Sequence, residues 1–275
     1  MISSIADCTV LNNGVKMPWL GFGVFQTKEG REVIQSVKWA LEAGYRSIDT
    51  AMIYGNEEGV GQALKESGVP REEIFLTTKL WNDDVRNRRT QAAFEESLQK
   101  LKVDYVDLYL IHWPVEGRRE AWKEMEKIYE SGRAKAIGLS NFMIEHLDDF
   151  LPHCSVAPAV NQVEFHPFLV QPDLLAYCKD HALQLEAWSP IVKGQVMGVP
   201  EIQEIAKKYN KTPVQVTLRW DLQHGVVTIP KSIHQERIAA NTQIFDFELS
   251  AEDMQILDKL DEGRRVGPDP LNFNF

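Results

Sequence analysis

Eight short strand-like runs alternate with amphipathic helical segments along the chain, and this alternation constrains the fold more than any other feature. The runs cover residues 19–21, 47–49, 74–79, 105–112, 134–140, 159–164, 183–188 and 226–229. Strands that alternate with helices form parallel sheets, and eight such units in 275 residues match a closed barrel in size. We therefore predict an α/β fold, a (β/α)8 TIM barrel, as a single domain over residues 1–275. An open doubly wound sheet is the structural alternative.

Local signals support particular elements of this fold. Thr212 precedes Pro213 and stands three residues before Gln215, which is the pattern of a capped helix start. Ahead of the first unit, Asn13 and Gly14 separate two short apolar runs. Because Asn-Gly accepts the positive φ angles of a tight turn, the sequence predicts a β-hairpin there. We expect this hairpin to plug one end of the core.

The composition excludes several classes of partner. A formal net charge of -10 disfavours the nucleic-acid backbone and anionic membranes, since both would repel the protein. No apolar run is long enough to cross a bilayer, and the start of the chain lacks the pattern of a signal peptide. The few, separated cysteines predict neither a disulfide framework nor a zinc site; they are Cys8, Cys154 and Cys178. We expect a cytoplasmic monomer with a small-molecule partner.

Four side chains with acid–base chemistry stand at or just beyond the ends of strand-like runs. They are Asp49, Tyr54, Lys79 and His112. Since the C-terminal ends of parallel strands carry the active sites of α/β barrels, we expect the four to converge.

Their ordinary acidities suggest a proton-transfer role. A tyrosine titrates near pH ~10 in model peptides and is a poor proton donor at neutral pH. A neighbouring Lys79 ammonium would lower the pKa of Tyr54, and Asp49 would hold Lys79 charged and in place. His112 would hydrogen-bond the oxygen that receives the proton. The set predicts a general acid and contains no nucleophile.

Five motifs in order resemble the aldo-keto reductases. They are DTAMIYGNE from Asp49, the strand-ending Lys79, LIHWP around His112, GLSNF around Ser140, and IPKS at 229–232. The resemblance covers essentially the whole chain. It is strongest for the branch of 2,5-diketo-D-gluconate reductases and prostaglandin F synthases, because the segment after HWP is short and Trp188 occupies the aromatic stacking position.

The resemblance implies NADPH (NADP+) as cofactor, with Tyr54 protonating a carbonyl oxygen as hydride is transferred. Trp188 would stack on the nicotinamide, and Ser140, Asn141 and Gln162 would bind its carboxamide. The cofactor residues implied at other positions are Gly23, Val24, Ser189, Ile191, Lys193, Lys231, Ser232, Ile233, Arg237 and Asn241. Among these, Lys231, Ser232, Arg237 and Asn241 match the site for the 2′-phosphate, a group that NADH lacks. The alternative is ordinary polar loop and helix surface.

Aromatic residues on loops after strands predict the substrate pocket. Phe25, Trp81 and Trp113 align with pocket positions of the family, and Asn272 lies in a tail that would close over them. Aromatic residues also serve as barrel core, which is the alternative for these positions.

Three functional hypotheses follow. The first is an NADPH-dependent reductase of aldehydes and some ketones, which uses the complete acid–base set. The second is a regulatory barrel that binds NADPH with negligible turnover. The third is a metal-dependent hydrolase, which the sequence disfavours because its seven histidines show no His-x-His or His-Glu-x-x-His spacing. We expect no metal site.

Overall fold

The computed structural model describes residues 2–275, and an eight-stranded parallel sheet forms its centre. The strands are β1 Cys8–Val10, β2 Lys16–Pro18, β3 Phe22–Gly23, β4 Ser47–Asp49, β5 Phe75–Leu80, β6 Val106–Ile111, β7 Ala134–Ser140, β8 Val160–Glu164, β9 Gln184–Trp188 and β10 Val227–Thr228. The helices are α1 Arg31–Glu42, α2 Glu57–Ser67, α3 Asn82–Arg86, α4 Thr90–Leu101, α5 Arg118–Glu130, α6 Ile144–Phe150, α7 Pro172–Asp180, α8 Pro200–Tyr209, α9 Pro213–Gln223, α10 Gln235–Ala240 and α11 Ala251–Asp258.

The sheet closes on itself. Its strands follow one another in chain order from β3 to β10, and each pairs in parallel with the next. Across the remaining seam, the Gly21 N–H donates to Thr228 O at 2.9 Å and the Gly23 N–H to Pro230 O at 3.2 Å. The predicted (β/α)8 barrel is therefore confirmed, and the open sheet is wrong.

The first barrel strand lies later in the chain than predicted. Regular pairing with β4 begins where Phe22 meets Ile48, not at residues 19–21. Leu20 makes only an isolated bridge, to Thr228. The position of such a short strand is set by the register of its partner, which local composition does not reveal.

The N-terminal hairpin is confirmed, with β1 and β2 antiparallel. Leu11 and Met17 are buried in one apolar cluster with Phe75, Leu108 and Val160. Because Phe75 and Val160 begin their strands, this cluster fills the N-terminal end of the barrel. The hairpin thus plugs the end opposite to the strand ends that carry the acid–base residues.

The helix start at Thr212 has the predicted cap. The Gln215 N–H donates to Thr212 Oγ1 at 3.2 Å, and the Thr212 N–H donates to Gln215 Oε1 at 2.9 Å. These two bonds satisfy backbone donors that the first turn of a helix leaves free.

Across residues 2–275, every helix is too short or too polar to span a membrane.

Candidate active site

The four acid–base residues are brought together at the C-terminal ends of the strands. Lys79 Nζ lies 2.6 Å from Asp49 Oδ1 and donates to Thr50 O at 2.9 Å. Its distance to Tyr54 Oη is 3.4 Å, which is long for a hydrogen bond. The His112 ring packs edge-on against Tyr54, with 5.7 Å between ring centroids.

The barrel geometry explains this convergence. Asp49 is the last residue of β4, Lys79 lies one residue before the end of β5, and His112 directly follows β6. Tyr54 belongs to a single helical turn after β4, which ends at Gly55 with a φ of 65°. That left-handed conformation suits glycine, so Gly55 lets the chain turn immediately after the phenol.

The charges around Tyr54 act in opposite directions. Burial raises the pKa of the Tyr54 phenol, and the Lys79 ammonium lowers it without overcoming burial. Burial alone would lower the pKa of Lys79, but Asp49 and Tyr54 outweigh it and the net pKa is raised. Lys79 thus lowers the pKa of Tyr54, as predicted, but burial keeps the net pKa above its ordinary value. Both groups hold their protons at neutral pH.

His112 is neutral in this environment. Burial, and then the charge of Lys79, lower its pKa well below the ordinary value. Its Nδ1 atom accepts or donates no hydrogen bond within residues 2–275. The Trp81 ring packs against it at 5.3 Å between centroids. A neutral imidazole can still donate one N–H to a ligand oxygen.

A cavity of about 1060 Å³ opens above these residues, and Asp49, Tyr54 and His112 form part of its wall. Lys79 is fully buried behind them. The predicted cofactor residues on the wall are Gly23, Ser140, Asn141, Gln162, Trp188, Ser189, Ile191, Lys193, Lys231, Ser232, Ile233, Arg237 and Asn241. The predicted substrate residues on the wall are Phe25, Trp81 and Trp113.

Besides the buried Lys79, two predicted residues do not reach the cavity wall. Val24 is completely buried behind Gly23. Asn272 is exposed, and its N–H donates to Asp269 O at 3.0 Å in a turn of the tail. This turn directs later residues of the tail toward the cavity instead.

Gln162 is fixed by two buried carboxylates. Its Nε2 atom donates to Asp49 Oδ2 and to Glu186 Oε2, each at 2.8 Å. Burial, together with the charge of Asp49, raises the pKa of Glu186. With both N–H groups of its amide occupied, Gln162 keeps only its Oε1 atom available to a ligand, since that atom has no partner within residues 2–275. Glu186 was not identified from the sequence.

Asn141 fixes the ring of Trp188. The indole Nε1–H donates to Asn141 Oδ1 at 2.9 Å, and Asn141 Nδ2 donates to His112 O at 2.9 Å. Asn141 has a φ of 66°, a conformation that asparagine adopts more readily than most residues. The flat face of Trp188 is thus held in one orientation on the cavity wall.

Basic side chains collect on another part of the wall. Lys193, Lys231 and Arg237 line the cavity, and none of them forms an ion pair within the part of the chain described. Lys231 Nζ donates only to Gln26 O, at 3.4 Å. Three such cations on one part of the cavity wall make a local site for an anion in a protein of net charge -10.

The tail supplies one aromatic cavity residue that the sequence analysis did not predict, Phe275. Phe275 stacks on Trp81 at 6.0 Å and meets Trp113 edge-on at 5.1 Å. Phe273 packs on Trp113 at 4.9 Å. Other wall residues that were not predicted include Ile53, Met197, Val266, Gly267 and Pro268. The sequence signal for a tail contact with the pocket was the pair of aromatic residues at alternate tail positions, Phe273 and Phe275.

No group of three potential metal ligands occurs within residues 2–275.

Known proteins resemble this chain over most or all of its length. A model described as the aldo/keto reductase family matches residues 19–262. The glyoxal reductase of Bacillus subtilis (strain 168) is 55% identical over 276 residues, covering 100% of both chains. Methylglyoxal reductase DkgA of Escherichia coli (strain K12) is 48% identical over 268 residues, covering 96% of each.

Solved structures extend the similarity to three dimensions. A mutant of Gox0644 in complex with NADPH superposes with a TM-score of 0.92 at 42% identity, covering 98% of each chain. The family match includes every barrel strand and the whole acid–base set. The chain belongs to the aldo/keto reductase family.

Proposed function

We propose that this chain is an NADPH-dependent reductase that converts aldehydes and some ketones to alcohols. The observation that carries the proposal is the contact of a buried Lys79–Asp49 pair with Tyr54 at the wall of a large cavity. The relatives named as glyoxal and methylglyoxal reductases support a carbonyl substrate. The neighbour in complex with NADPH supports the cofactor.

The cavity wall offers groups that fit NADPH. Gln162 Oε1, without a partner in residues 2–275, can accept an N–H of the carboxamide. Trp188 provides a flat face on which an aromatic ring can stack. Lys231 and Arg237, together with Ser232, can bind a phosphate through charge-assisted hydrogen bonds. When bound, the cofactor supplies the hydride.

The chain's own residues manage the proton. Tyr54 carries its proton at neutral pH, because a phenol ordinarily titrates near pH ~10 and burial raises the pKa of Tyr54 further. As the substrate oxygen gains negative charge, Tyr54 Oη donates this proton to it, and the Lys79 ammonium stabilises the phenolate that remains. Asp49 keeps Lys79 charged and oriented. A neutral His112 donates a ring N–H to the same oxygen and orients it.

The primary test is an assay of NADPH oxidation with methylglyoxal and an aromatic aldehyde. Absorbance of the reduced nicotinamide should fall only when a carbonyl is present, and NADH should be used less well. Tight NADPH binding without oxidation across a broad carbonyl panel would favour the regulatory barrel instead. Exhaustive chelation should leave the rate unchanged, and loss of activity there would support the metal-dependent alternative.

We further propose that residues 1–275 form a single domain and that the protein is a cytoplasmic monomer. Its partner is a small carbonyl compound. The three free cysteines suit a reducing compartment. The charge of -10 disfavours a nucleic-acid partner. Light scattering of the purified protein tests the monomer, and a stable dimer would contradict it.

A further inference from the structure

A buried carboxylate at the end of β8 holds the C-terminal tail. Glu164, 1% exposed, accepts the Val266 N–H on Oε1 at 2.5 Å and the Gly267 N–H on Oε2 at 3.3 Å. His166 Nε2 lies 3.0 Å from Oε1, and the His166 side chain is completely buried. The partners of Glu164 are thus two successive backbone groups of the tail and one imidazole. None of them belongs to the acid–base set.

Just before Val266, the tail is hydrogen-bonded to the loop that follows β8. Phe168 O accepts the N–H groups of Glu262, at 3.3 Å, and Arg264, at 3.0 Å. The Arg264 guanidinium lies over the Phe168 ring, 4.2 Å from the ring centroid, as in a cation–π contact. These contacts involve the backbone or exposed groups, whereas the Glu164 carboxylate is the buried and charged one. It therefore contributes most to the attachment of residues 266 and 267.

The attached segment forms the cavity wall at Trp188. Val266, Gly267 and Pro268 all line the cavity. Gly267 packs so closely on Trp188 that a Cβ atom at this position would overlap the outer edge of the indole ring. Asn141 holds the opposite, Nε1 side of the same ring. Trp188 is therefore confined between Asn141 and a tail that Glu164 keeps in place.

We propose that Glu164 is a positioning residue that determines how tightly the carbonyl substrate is held. It acts through the tail: by fixing Val266 and Gly267 it sets the cavity wall beside Trp188 and the approach of the aromatic residues beyond it, Phe273 and Phe275. The kinetic part of this inference rests on the proposed reductase function. The inference that Glu164 attaches the tail does not rest on that function, and tail attachment can be measured without catalysis.

The first experiment compares Glu164→Gln with a matched control, Glu126→Gln. Glu126, 8% exposed, also accepts two successive backbone N–H groups, from Ser155 at 2.7 Å and Val156 at 2.8 Å, but it does not line the cavity. Each substitution removes one buried carboxylate charge. In Glu164→Gln the amide also turns an NH2 group toward one of the two tail N–H groups, because these bond to different oxygens. In Glu126→Gln the remaining Oε1 can accept both N–H groups, so the control tests the loss of charge alone. Limited trypsin digestion then reports cleavage after Arg264 and Arg265.

We expect cleavage at these arginines to be about 10-fold faster in Glu164→Gln than in the wild-type protein, because the freed tail opens more often. Glu126→Gln should match the wild type at these sites. Equal cleavage of the two variants would overturn the proposal, whether or not the protein reduces carbonyls.

The second experiment separates positioning from general stability. In Glu164→Gln we expect the KM for an aromatic aldehyde to rise about 10-fold while kcat changes less than about threefold, since Tyr54 and Lys79 are untouched. Gly267→Ala keeps Glu164 but forces the tail away from Trp188, so it should show the same split and the same faster cleavage. A folded Gly267→Ala protein with wild-type KM and wild-type cleavage would contradict the inference, even if Glu164→Gln did not fold.

Discussion

Lys79 and Asp49 form an ion pair of 2.6 Å in which neither side chain is more than 3% exposed. Removing one partner of a buried pair leaves an uncompensated charge, which typically costs about 3–5 kcal/mol of unfolding free energy. We therefore expect Lys79→Met and Asp49→Leu each to be strongly destabilising in urea unfolding. The double variant should lose less than the sum of the two, because no charge is left unpaired.

An exposed pair provides the control for this prediction. Lys207 and Glu204 are also 2.6 Å apart, but each side chain is 71% exposed. Lys207→Met should change the unfolding free energy by less than about 1 kcal/mol, since exposed pairs contribute little. If Lys79→Met destabilised the protein no more than Lys207→Met, the buried Lys79–Asp49 ion pair described for the active site would be contradicted.

Tyr54→Phe removes the proposed proton donor and little else, because the hydroxyl makes only the long contact to Lys79. We expect kcat for aldehyde reduction to fall about 100- to 10,000-fold, the usual contribution of a general acid. NADPH binding, followed by tryptophan fluorescence, should be retained. Tyr177→Phe is the control, since its hydroxyl bonds to Asp148 away from the cavity and its loss should leave kcat unchanged. Turnover near the wild-type level in Tyr54→Phe would remove Tyr54 from the proposed role.

The acid–base set can be predicted from the sequence because each member lies close to the end of an apolar run. Asp49 and Lys79 lie within the last two residues of their strands and His112 directly follows its strand, and barrel closure brings these strand ends together. The first strand could not be located in the same way. Its two residues pair only because Ile48 and its neighbours fix their register, and that information lies elsewhere in the chain.

The buried carboxylates had a local signal that the sequence reading did not use. Glu164 stands two residues after Gln162 on β8, and Glu186 two residues before Trp188 on β9. Residues two apart on a strand lie on the same face, so both carboxylates share a face with a predicted site residue. The tail offered only the alternation of Phe273 and Phe275, which does not reveal the residues that they contact. Phe275 reaches Trp81 through contacts between distant parts of the chain, which periodicity does not encode.

The unpaired cations on the cavity wall predict a preference for NADPH over NADH. We expect Lys231→Met and Arg237→Met each to raise the KM for NADPH about 10- to 100-fold, since a hydrogen bond between charged groups is worth about 1.5–3 kcal/mol. The KM for NADH should change little, because NADH lacks the 2′-phosphate. Steady-state kinetics with both cofactors measures this selectivity. Lys16→Met, at the exposed hairpin on the opposite end of the barrel, serves as the control. An equal loss with both cofactors would show that these residues do not read the phosphate.

Stability should depend on pH through His112. Burial and the charge of Lys79 lower the pKa of His112 in the folded protein, whereas an unfolded histidine titrates near pH ~6.5. Below that value the unfolded chain binds a proton that folded His112 does not, so protonation favours unfolding. The contribution of neutral His112 is therefore fully present above about pH 6.5 and declines as the pH falls toward the lowered folded pKa.

The measurement is the difference in unfolding free energy between the wild type and His112→Gln at two pH values. From about pH 7.5 to about pH 5.5 this difference should shift by roughly 1 kcal/mol against the wild type, because each unit of pKa difference corresponds to about 1.4 kcal/mol. Comparing the two proteins cancels the titration of other buried carboxyl groups, such as Glu186, to the extent that they are unaffected by the substitution. His153→Gln, at an exposed position, should show no such shift. A difference that stays constant with pH would mean that His112 accepts a proton in the folded protein as readily as in the unfolded chain, and the neutral donor proposed for the carbonyl oxygen would have to be abandoned.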